Sequence, residues 1–330
     1  MPMIITADNI YFYDPKQEVP EEQISASGSA LCRDLPGSIA DYVRASLSAN
    51  TRKAYVSDLA QFEAWGGSIP SSPETVAAYL SARANVLHPG TLARHLVAIG
   101  KAHQAKGHTS PTSSTLVKAV LRGIKRAHGT RQDGAKPLLR DDLFLVLDRL
   151  TIRTKDLRDR AVLLLGFAGG FRRSELVGLD VEDLERVRQG LIVTLRRSKT
   201  DQTGLGRKVG IPFGRTKYCP VKAVEAWLEH SRICAGAIFR PIAKSGVVQS
   251  TRLSTDGLCR MLQARVSEAG FRSAGYSGHS LRSGFATSAA QAGVASWKIR
   301  QQTGHASDAM LLRYIRAGEM FLDNAACLLL

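Results

Sequence analysis

The chain has 330 residues, 44% of them hydrophobic, which suits two domains with a core each and excludes a mainly disordered protein. Its 45 lysine and arginine residues against 29 acidic residues give a formal charge of +16, so we expect a polyanionic partner, with nucleic acid the default candidate. No apolar run reaches the roughly 18 residues of a membrane-spanning helix, and five scattered cysteines form no CxxC pair, which argues against a membrane protein, a disulfide framework and a zinc ribbon.

The N-terminal segment differs in charge from the rest of the chain. Residues 1–24 hold five carboxylates and only one basic residue, Lys16, and a serine- and glycine-rich stretch follows. We therefore predict a weakly ordered acidic arm over residues 1–34 that does not contact DNA. The first residues lack the basic and apolar regions of a signal peptide, and we expect a cytoplasmic protein.

Residues 35–130 are predicted to form a helical domain. Apolar residues recur at helical spacing, and Asn50 and the pair Ser72-Pro73 are candidate helix starts. The first predicted helix contains Ile39, Tyr42, Val43 and Leu47. Four more are predicted: over Thr51–Trp65, from Ser72, from Gly90 to near Gly107, and over Ser114–His128. The last of these helices places Lys118, Arg122, Lys125 and Arg126 on one face, which by itself is more often a solvated surface than a binding site.

Residues 131–138 are rich in turn formers and charge, which predicts a linker. A second domain over residues 139–330 has a helical stripe from Leu143, an apolar run over Ala161–Phe167 and one convincing hairpin. The hairpin strands are predicted at Leu191–Leu195 and Lys208–Pro212, and four more helices follow. The predicted fold class is therefore mainly α with a small β-sheet (α+β).

Candidate catalytic residues occur in five places in this second domain. They are Arg172 and Glu175 in Gly170–Leu176, Lys199 in the hairpin turn, His279 and Arg282 in Gly278–Arg282, His305 after Gly304, and Tyr314 ahead of Ile315-Arg316. Each has an ordinary structural explanation when taken alone, such as a surface ion pair, a capped turn or a packed tyrosine. Their conjunction in this order is hard to attribute to coincidence.

In order and approximate spacing, Arg172, Lys199, His279, Arg282, His305 and Tyr314 resemble the catalytic residues of the tyrosine recombinases, the phage-integrase family, and most closely its Cre-like branch. Ser48–Tyr55, with Phe62 and Trp65 after it, resembles the start of the family's helical core-binding domain. The resemblance implies a two-domain C-shaped clamp around duplex DNA that recombines sites through a covalent 3′-phosphotyrosine and a Holliday junction. It implies neither a nucleotide nor an obligatory metal, so no cofactor is predicted.

Transesterification at a phosphodiester gathers negative charge on the non-bridging oxygens. Arg172 and Arg282 are the expected clamps because guanidinium groups stay charged and present planar forks of donors. A tyrosine with a pKa near 10 needs a base or a positive field to attack, and His279 is the expected base for Tyr314.

The other motif residues receive supporting roles. Lys199 is expected to protonate the leaving 5′ oxygen, although the neighbouring Arg196 and Arg197 compete for that role. His305 is expected to donate a hydrogen bond to a non-bridging oxygen, and Glu175 to orient histidine or arginine groups. Beside such a domain we expect phosphate contacts from the N-terminal half, with the candidate DNA-binding residues Arg52, Lys53, Arg94, Lys118, Arg122, Lys125 and Arg126.

The resemblance also predicts partners: double-stranded DNA with an inverted-repeat target, a monomer free in solution and a homotetramer on synapsed DNA. The apolar segment Met320–Leu330 is expected to be a terminal helix that docks on a neighbour or on its own domain. Two alternatives stay open. One is a tyrosine transposase or a type IB-like DNA-relaxing enzyme, and the other is a DNA-binding clamp that does not cut and has no need of Tyr314.

Overall fold

A computed structural model describes residues 3–5, 10–12, 46–130, 134–196, 206–305, 307, 311–312 and 314–315. The chain divides into two compact units, residues 1–132 and 133–330. Within the predicted arm, strands β1 (Met3–Ile5) and β2 (Ile10–Phe12) pair antiparallel. The predicted helix with Ile39, Tyr42 and Val43 lies outside the described residues.

Four helices lie in the described part of the first unit, residues 46–130, and serine caps set where three of them begin. The helices are α1 (Ala49–Ala64), α2 (Pro73–Arg83), α3 (Pro89–Ala105) and α4 (Thr115–His128), with a 3-10 turn at Pro111–Ser113. Ser48, Ser72 and Ser114 each accept a backbone N–H three residues on, which satisfies a donor that the first turn leaves free. The predicted cap Asn50 is thus wrong by two residues.

The core of the first unit combines an aromatic cluster with a buried polar network. The rings of Phe62 and Tyr79 meet edge to face, with centroids 5.0 Å apart. The carboxylate of Asp58 accepts two bonds from Arg94, at 2.7 and 2.9 Å, and lies 3.0 Å from Nε2 of His95. His95 Nδ1 lies 2.7 Å from the Tyr79 hydroxyl, so the network joins α1, α2 and α3.

The second unit is mostly helical and contains a small sheet. Among the described residues its longer helices are α5 (Arg140–Asp148), α6 (Thr154–Gly169), α7 (Arg173–Gly178), α8 (Pro220–Ser231), α9 (Thr255–Glu268), α10 (Ser280–Gln291) and α11 (Ser296–Thr303), and residues 311–312 and 314–315 are helical as well. The apolar run Ala161–Leu165 is buried at the centre of the core, where α6 packs against α8 and α10. The predicted fold class is confirmed.

The sheet has three antiparallel strands in the order β3 (Leu184–Val187), β4 (Gly190–Leu195) and β5 (Arg207–Pro212). The predicted hairpin corresponds to β4 and β5, whose register pairs Leu195 with Arg207. Strand β3 was not predicted, because its short sequence, Leu-Glu-Arg-Val, exposes both charged residues at the sheet edge.

A buried ion network joins α6 to α9. Arg265 donates to Asp156 at 2.5 Å, to Asp159 at 2.7 Å and to Glu268 at 2.8 Å, while Arg158 donates to Asp159 at 2.6 Å. Asp159 has no exposed surface, so its charge is balanced by two guanidinium groups rather than by water. Within the described parts of the chain, no helix has both the length and the apolar character needed to cross a membrane.

Candidate active site

Arg172 is positioned by a turn at the end of α6. Gly170 ends that helix in the left-handed conformation, with φ +55°, and Arg172 is the N-cap of α7. The buried Glu175 carboxylate accepts a hydrogen bond from Nη1 of Arg172 at 2.5 Å and another from its backbone N–H at 2.9 Å. Because the carboxylate binds both ends of the residue, the Arg172 guanidinium is fixed before any substrate binds.

Arg282 is almost completely buried and shares this site. Its Nη1 donates to the carbonyl oxygens of Gly170, at 2.8 Å, and of Thr303. Its Nε has no hydrogen-bond partner among the described residues. Burial, together with the nearby charge of Arg172, lowers the pKa of Arg282 to about 10. The guanidinium therefore remains protonated at neutral pH, in surroundings that do not fully compensate its positive charge.

The turn that follows α11 brings His305 to the same place. Gly304 has φ +65° and ends the helix, and its carbonyl oxygen accepts from Nη2 of Arg172 at 3.2 Å. His305 is buried, and its Nδ1 lies 2.7 Å from the Thr303 hydroxyl oxygen. Burial first, and then the charges of Arg282 and Arg172, lower the pKa of His305 to about 3, so the ring is neutral at physiological pH.

Tyr314 lies between the two histidines of the site. Its hydroxyl oxygen is 2.8 Å from Nε2 of His279, and its ring centroid is 5.8 Å from that of His305. His279 is the N-cap of α10, one helical turn before Arg282. Burial, and then the charges of Arg282 and Arg172, lower the pKa of His279, which therefore stays unprotonated and able to accept a proton at neutral pH.

The site carries more positive than negative charge. Three guanidinium groups, those of Arg172, Arg207 and Arg282, surround the end of α11, and Glu175 is the carboxylate that opposes them. An arrangement of this kind favours an anion such as a phosphodiester, whose oxygens would also satisfy the unpartnered Nε of Arg282. Among the described residues, no group of three or more His, Cys, Asp or Glu side chains is arranged to hold a metal ion.

Most of the predicted catalytic residues come together in the folded chain. The structure groups Arg172, Glu175, His279, Arg282, His305 and Tyr314. Lys199 lies outside the described residues, as does the predicted docking segment Met320–Leu330. Arg207 was not predicted, because the only signal in the sequence is a basic residue beside the start of the second hairpin strand.

The predicted DNA-binding residues belong to the first unit and have different surroundings. Lys118, Arg122, Lys125 and Arg126 are all exposed on α4, whose opposite face buries Val117 and Ile124. Lys53 is exposed, whereas Arg52 donates from Nη1 to the Leu47 carbonyl at 2.7 Å. Arg94 keeps 47% of its side-chain surface exposed although it pairs with Asp58.

The chain is similar to known proteins over most of its length. Residues 136–319, more than half of the chain, match the model of the phage integrase family. An integrase/recombinase xerD homolog from Selenomonas ruminantium is 39% identical over 84% of this chain and 84% of its own. The recombinase cre of Escherichia phage P1 is 27% identical over 91% of this chain and 93% of its own. The fold also aligns with a crystal structure of the XerH site-specific recombinase bound to palindromic difH substrate, in a post-cleavage complex, with a TM-score of 0.62. The alignment covers 85% of this chain and 79% of that one, at 18% sequence identity.

Proposed function

The chain belongs to the phage integrase family, whose tyrosine recombinases exchange DNA strands, and we propose that it recombines specific DNA sites with Tyr314 as the nucleophile. The observation that carries the assignment of the nucleophile is the position of the Tyr314 hydroxyl. It lies 2.8 Å from Nε2 of His279, whose pKa is lowered, beside three arginines that one carboxylate, that of Glu175, opposes. Attack on a bound phosphodiester needs both of these features.

In the cleavage step, Tyr314 attacks the scissile phosphorus while its proton passes to Nε2 of His279. The bond from phosphorus to the 5′ oxygen breaks, a 3′-phosphotyrosine forms, and the 5′ oxygen takes a proton, in our assignment from Lys199. Arg172 and Arg282 bind the non-bridging oxygens, on which negative charge accumulates in the transition state. The step conserves a phosphodiester bond, so rejoining needs no external energy source.

In the rejoining step, the free 5′ hydroxyl of another strand attacks the phosphotyrosine and releases Tyr314. The 5′ hydroxyl gives its proton to Lys199, which lost one in the cleavage step, and the proton on His279 returns to the tyrosine oxygen, so both transfers are reversed. Exchange of one strand pair gives a Holliday junction, and exchange of the second pair completes recombination. His305 lies beside Tyr314 and is proposed to bind a non-bridging oxygen in both steps.

The DNA site and the assembly follow from the same proposal. A palindromic substrate in the XerH complex supports an inverted-repeat target, which binds two protomers by symmetry. Recombination joins two such sites, so four protomers assemble on synapsed DNA, from a monomer that is free in solution. We place this activity in the cytoplasm, where bacterial and phage DNA is accessible.

The first unit is proposed to bind the phosphate backbone. The α4 face of Lys118, Arg122, Lys125 and Arg126 is exposed and has no carboxylate in its own helix to neutralise it. Arg52, Lys53 and Arg94 are further candidates. Such contacts supply affinity without reading the sequence, and they make binding steeply dependent on salt.

The alternatives are less favoured. A tyrosine transposase or a DNA-relaxing enzyme would use the same residues, but the Selenomonas and phage P1 relatives, which cover most of the chain, are named recombinases. A clamp that binds DNA without cutting would not require the tyrosine, the histidine, the buried Arg282 and the partly buried Arg172 to be grouped in one site.

The test is covalent trapping of DNA. The purified chain is incubated with genomic DNA from its source, quenched with denaturant, and the DNA attached to protein is sequenced beside a Tyr314→Phe control. The proposal predicts fragments that share a short inverted repeat and are absent from the control. An adduct that persists in Tyr314→Phe would assign the nucleophile to another residue, and the absence of any adduct in the wild type would favour the non-cutting clamp.

A further inference from the structure

The end of α11 is held by Arg207, which begins strand β5 and lies outside the predicted catalytic set. Its Nη1 donates to the carbonyl oxygens of Gln301, at 3.0 Å, and of Gln302, at 2.8 Å, and its Nη2 reaches that of Thr303 at 3.5 Å. The last carbonyls of a helix lack intrahelical donors and form the negative end of the helix dipole. Arg207 is therefore a helix C-cap supplied by a different element of the fold.

The packing around Arg207 leaves little freedom for the guanidinium. A Cβ atom at Gly304 would lie 2.8 Å from Cζ of Arg207, so the glycine backbone and the guanidinium are in direct contact. Burial lowers the pKa of Arg207, and the nearby Glu175 carboxylate offsets only part of that effect. A partly buried cation in a site that already holds two other arginines costs free energy, which the carbonyl contacts offset.

The turn that Arg207 holds also contacts the proposed phosphate clamps. The Thr303 carbonyl accepts from Arg282 as well as from Arg207, and the Gly304 carbonyl accepts from Arg172. The Thr303 hydroxyl lies against Nδ1 of His305. A shift of this turn would thus move the His305 ring and the hydrogen-bond acceptors of both clamps together.

We propose that Arg207 is a positioning residue for strand exchange. By capping α11 from the sheet, it fixes the turn from Thr303 to His305 so that His305 faces the same phosphate as Arg282. Arg207 acts through this turn and does not itself contact the DNA. This inference rests on the proposed function, because it assumes that His305 and Arg282 serve the cleavage step.

The first experiment compares Arg207→Ala with Lys208→Ala, which removes the neighbouring, exposed cation of the same strand. The probe is a duplex carrying a sequence recovered by Tyr314-dependent trapping, nicked beside the scissile phosphate so that cleavage cannot reverse. We expect Arg207→Ala to form the adduct about 100-fold more slowly, the loss typical of a misplaced catalytic group, with unchanged DNA affinity. Lys208→Ala is expected to cleave at the wild-type rate, and equal rates for both variants would overturn the inference.

A double-mutant cycle separates positioning from general stabilisation. If Arg207 acts through the turn that carries His305, its removal costs much less in a His305→Ala background than in the wild type. If the rate loss of the double variant equals the product of the two single losses, Arg207 acts independently of His305 and the inference is overturned. Arg207→Lys, which keeps the charge but not the fork, is expected to fall between wild type and Arg207→Ala, and it replaces the alanine variant if that variant does not fold.

The wild-type chain is assayed in parallel, so that the two possible failures differ. A wild type without an adduct overturns the proposed function and this inference with it. A wild type that forms the adduct beside an equally fast Arg207→Ala overturns the inference alone.

Discussion

The phenolic oxygen of Tyr314 lies 2.8 Å from Nε2 of His279. The two residues are 35 positions apart. Burial first, and then the charges of Arg282, one turn along the same helix, and of Arg172, more than 100 positions earlier, lower the pKa of the histidine. The proposed nucleophile thus contacts its proposed base, and burial together with the two arginines keeps that base neutral. In the proposed mechanism the positive charge of these arginines serves two purposes, because it binds the phosphate and favours the neutral histidine that accepts a proton.

This relationship predicts how cleavage depends on pH. His279 accepts a proton only when neutral, and its pKa is lowered from the ordinary 6.5, so the rate should stay constant as pH falls through that value and decline below it. His279→Asn cannot act as a base and should cleave at least about 100-fold more slowly without this decline. Rates of adduct formation at constant ionic strength would measure both effects. A decline centred above pH 6.5, or one retained in His279→Asn, would contradict the assignment.

Arg172→Lys should depress cleavage far more than DNA binding. Lysine keeps the charge but loses the planar fork that donates to Glu175 and to the Gly304 carbonyl. We expect a loss of about 100-fold or more in the adduct-forming rate, comparable with removal of one transition-state donor, and a change of less than about 3-fold in affinity. Arg173→Lys is the matched control, because the next residue is exposed on the same helix. Wild-type cleavage by Arg172→Lys would remove Arg172 from the clamp.

The α4 face predicts the salt dependence of DNA binding. Each phosphate contact that is lost lowers the slope of log affinity against log salt by about 0.9. Arg122→Ala should therefore reduce the slope by about one unit and weaken binding to all sequences alike. Lys222→Ala removes an exposed cation from α8 in the other unit and serves as the control. Fluorescence anisotropy over a salt series measures the slope, and an unchanged slope in Arg122→Ala would support the solvated-surface explanation.

The buried carboxylate of Asp58 should contribute to the stability of the first unit. Asp58→Ala removes the acceptor for both Arg94 bonds and a partner at 3.0 Å from His95, leaving a buried imidazole in a less polar site. Because Arg94 remains 47% exposed and can be hydrated, we expect a loss of about 1–3 kcal/mol rather than that of a fully buried pair. Arg94→Ala should cost less than Asp58→Ala. Urea unfolding followed by Trp65 fluorescence, with Trp227 and Trp297 replaced by phenylalanine in both variants and in their reference, would rank the two variants, and the opposite order would contradict this account.

Local sequence signals predicted much of the fold but less of its polar contacts. Ser72-Pro73 marks a helix start because the cap and the proline act within one turn. The motif residues of the site were recognisable by their order along the chain. Arg207 was not, because its role depends on carbonyl groups more than 90 positions away, which have no residue-specific signature. Asp58 was missed for a related reason, since its partner Arg94 is 36 positions away and neither residue type indicates burial.

Arg265 should be the most sensitive position of the α6–α9 ion network. Arg265→Ala leaves Asp156 and the fully buried Asp159 with less compensating charge, so we expect a loss of about 3–5 kcal/mol in the free energy of unfolding of the second unit. Arg260→Ala, an exposed arginine on the same helix, is the matched control and should change stability by less than about 0.5 kcal/mol. Arg265→Met tests the cause, because it fills the same space without the charge and should be nearly as destabilising if the unpaired carboxylates dominate. If Arg265→Met recovered most of the lost stability, the cavity left by alanine, and not the charge of Asp159, would account for the effect.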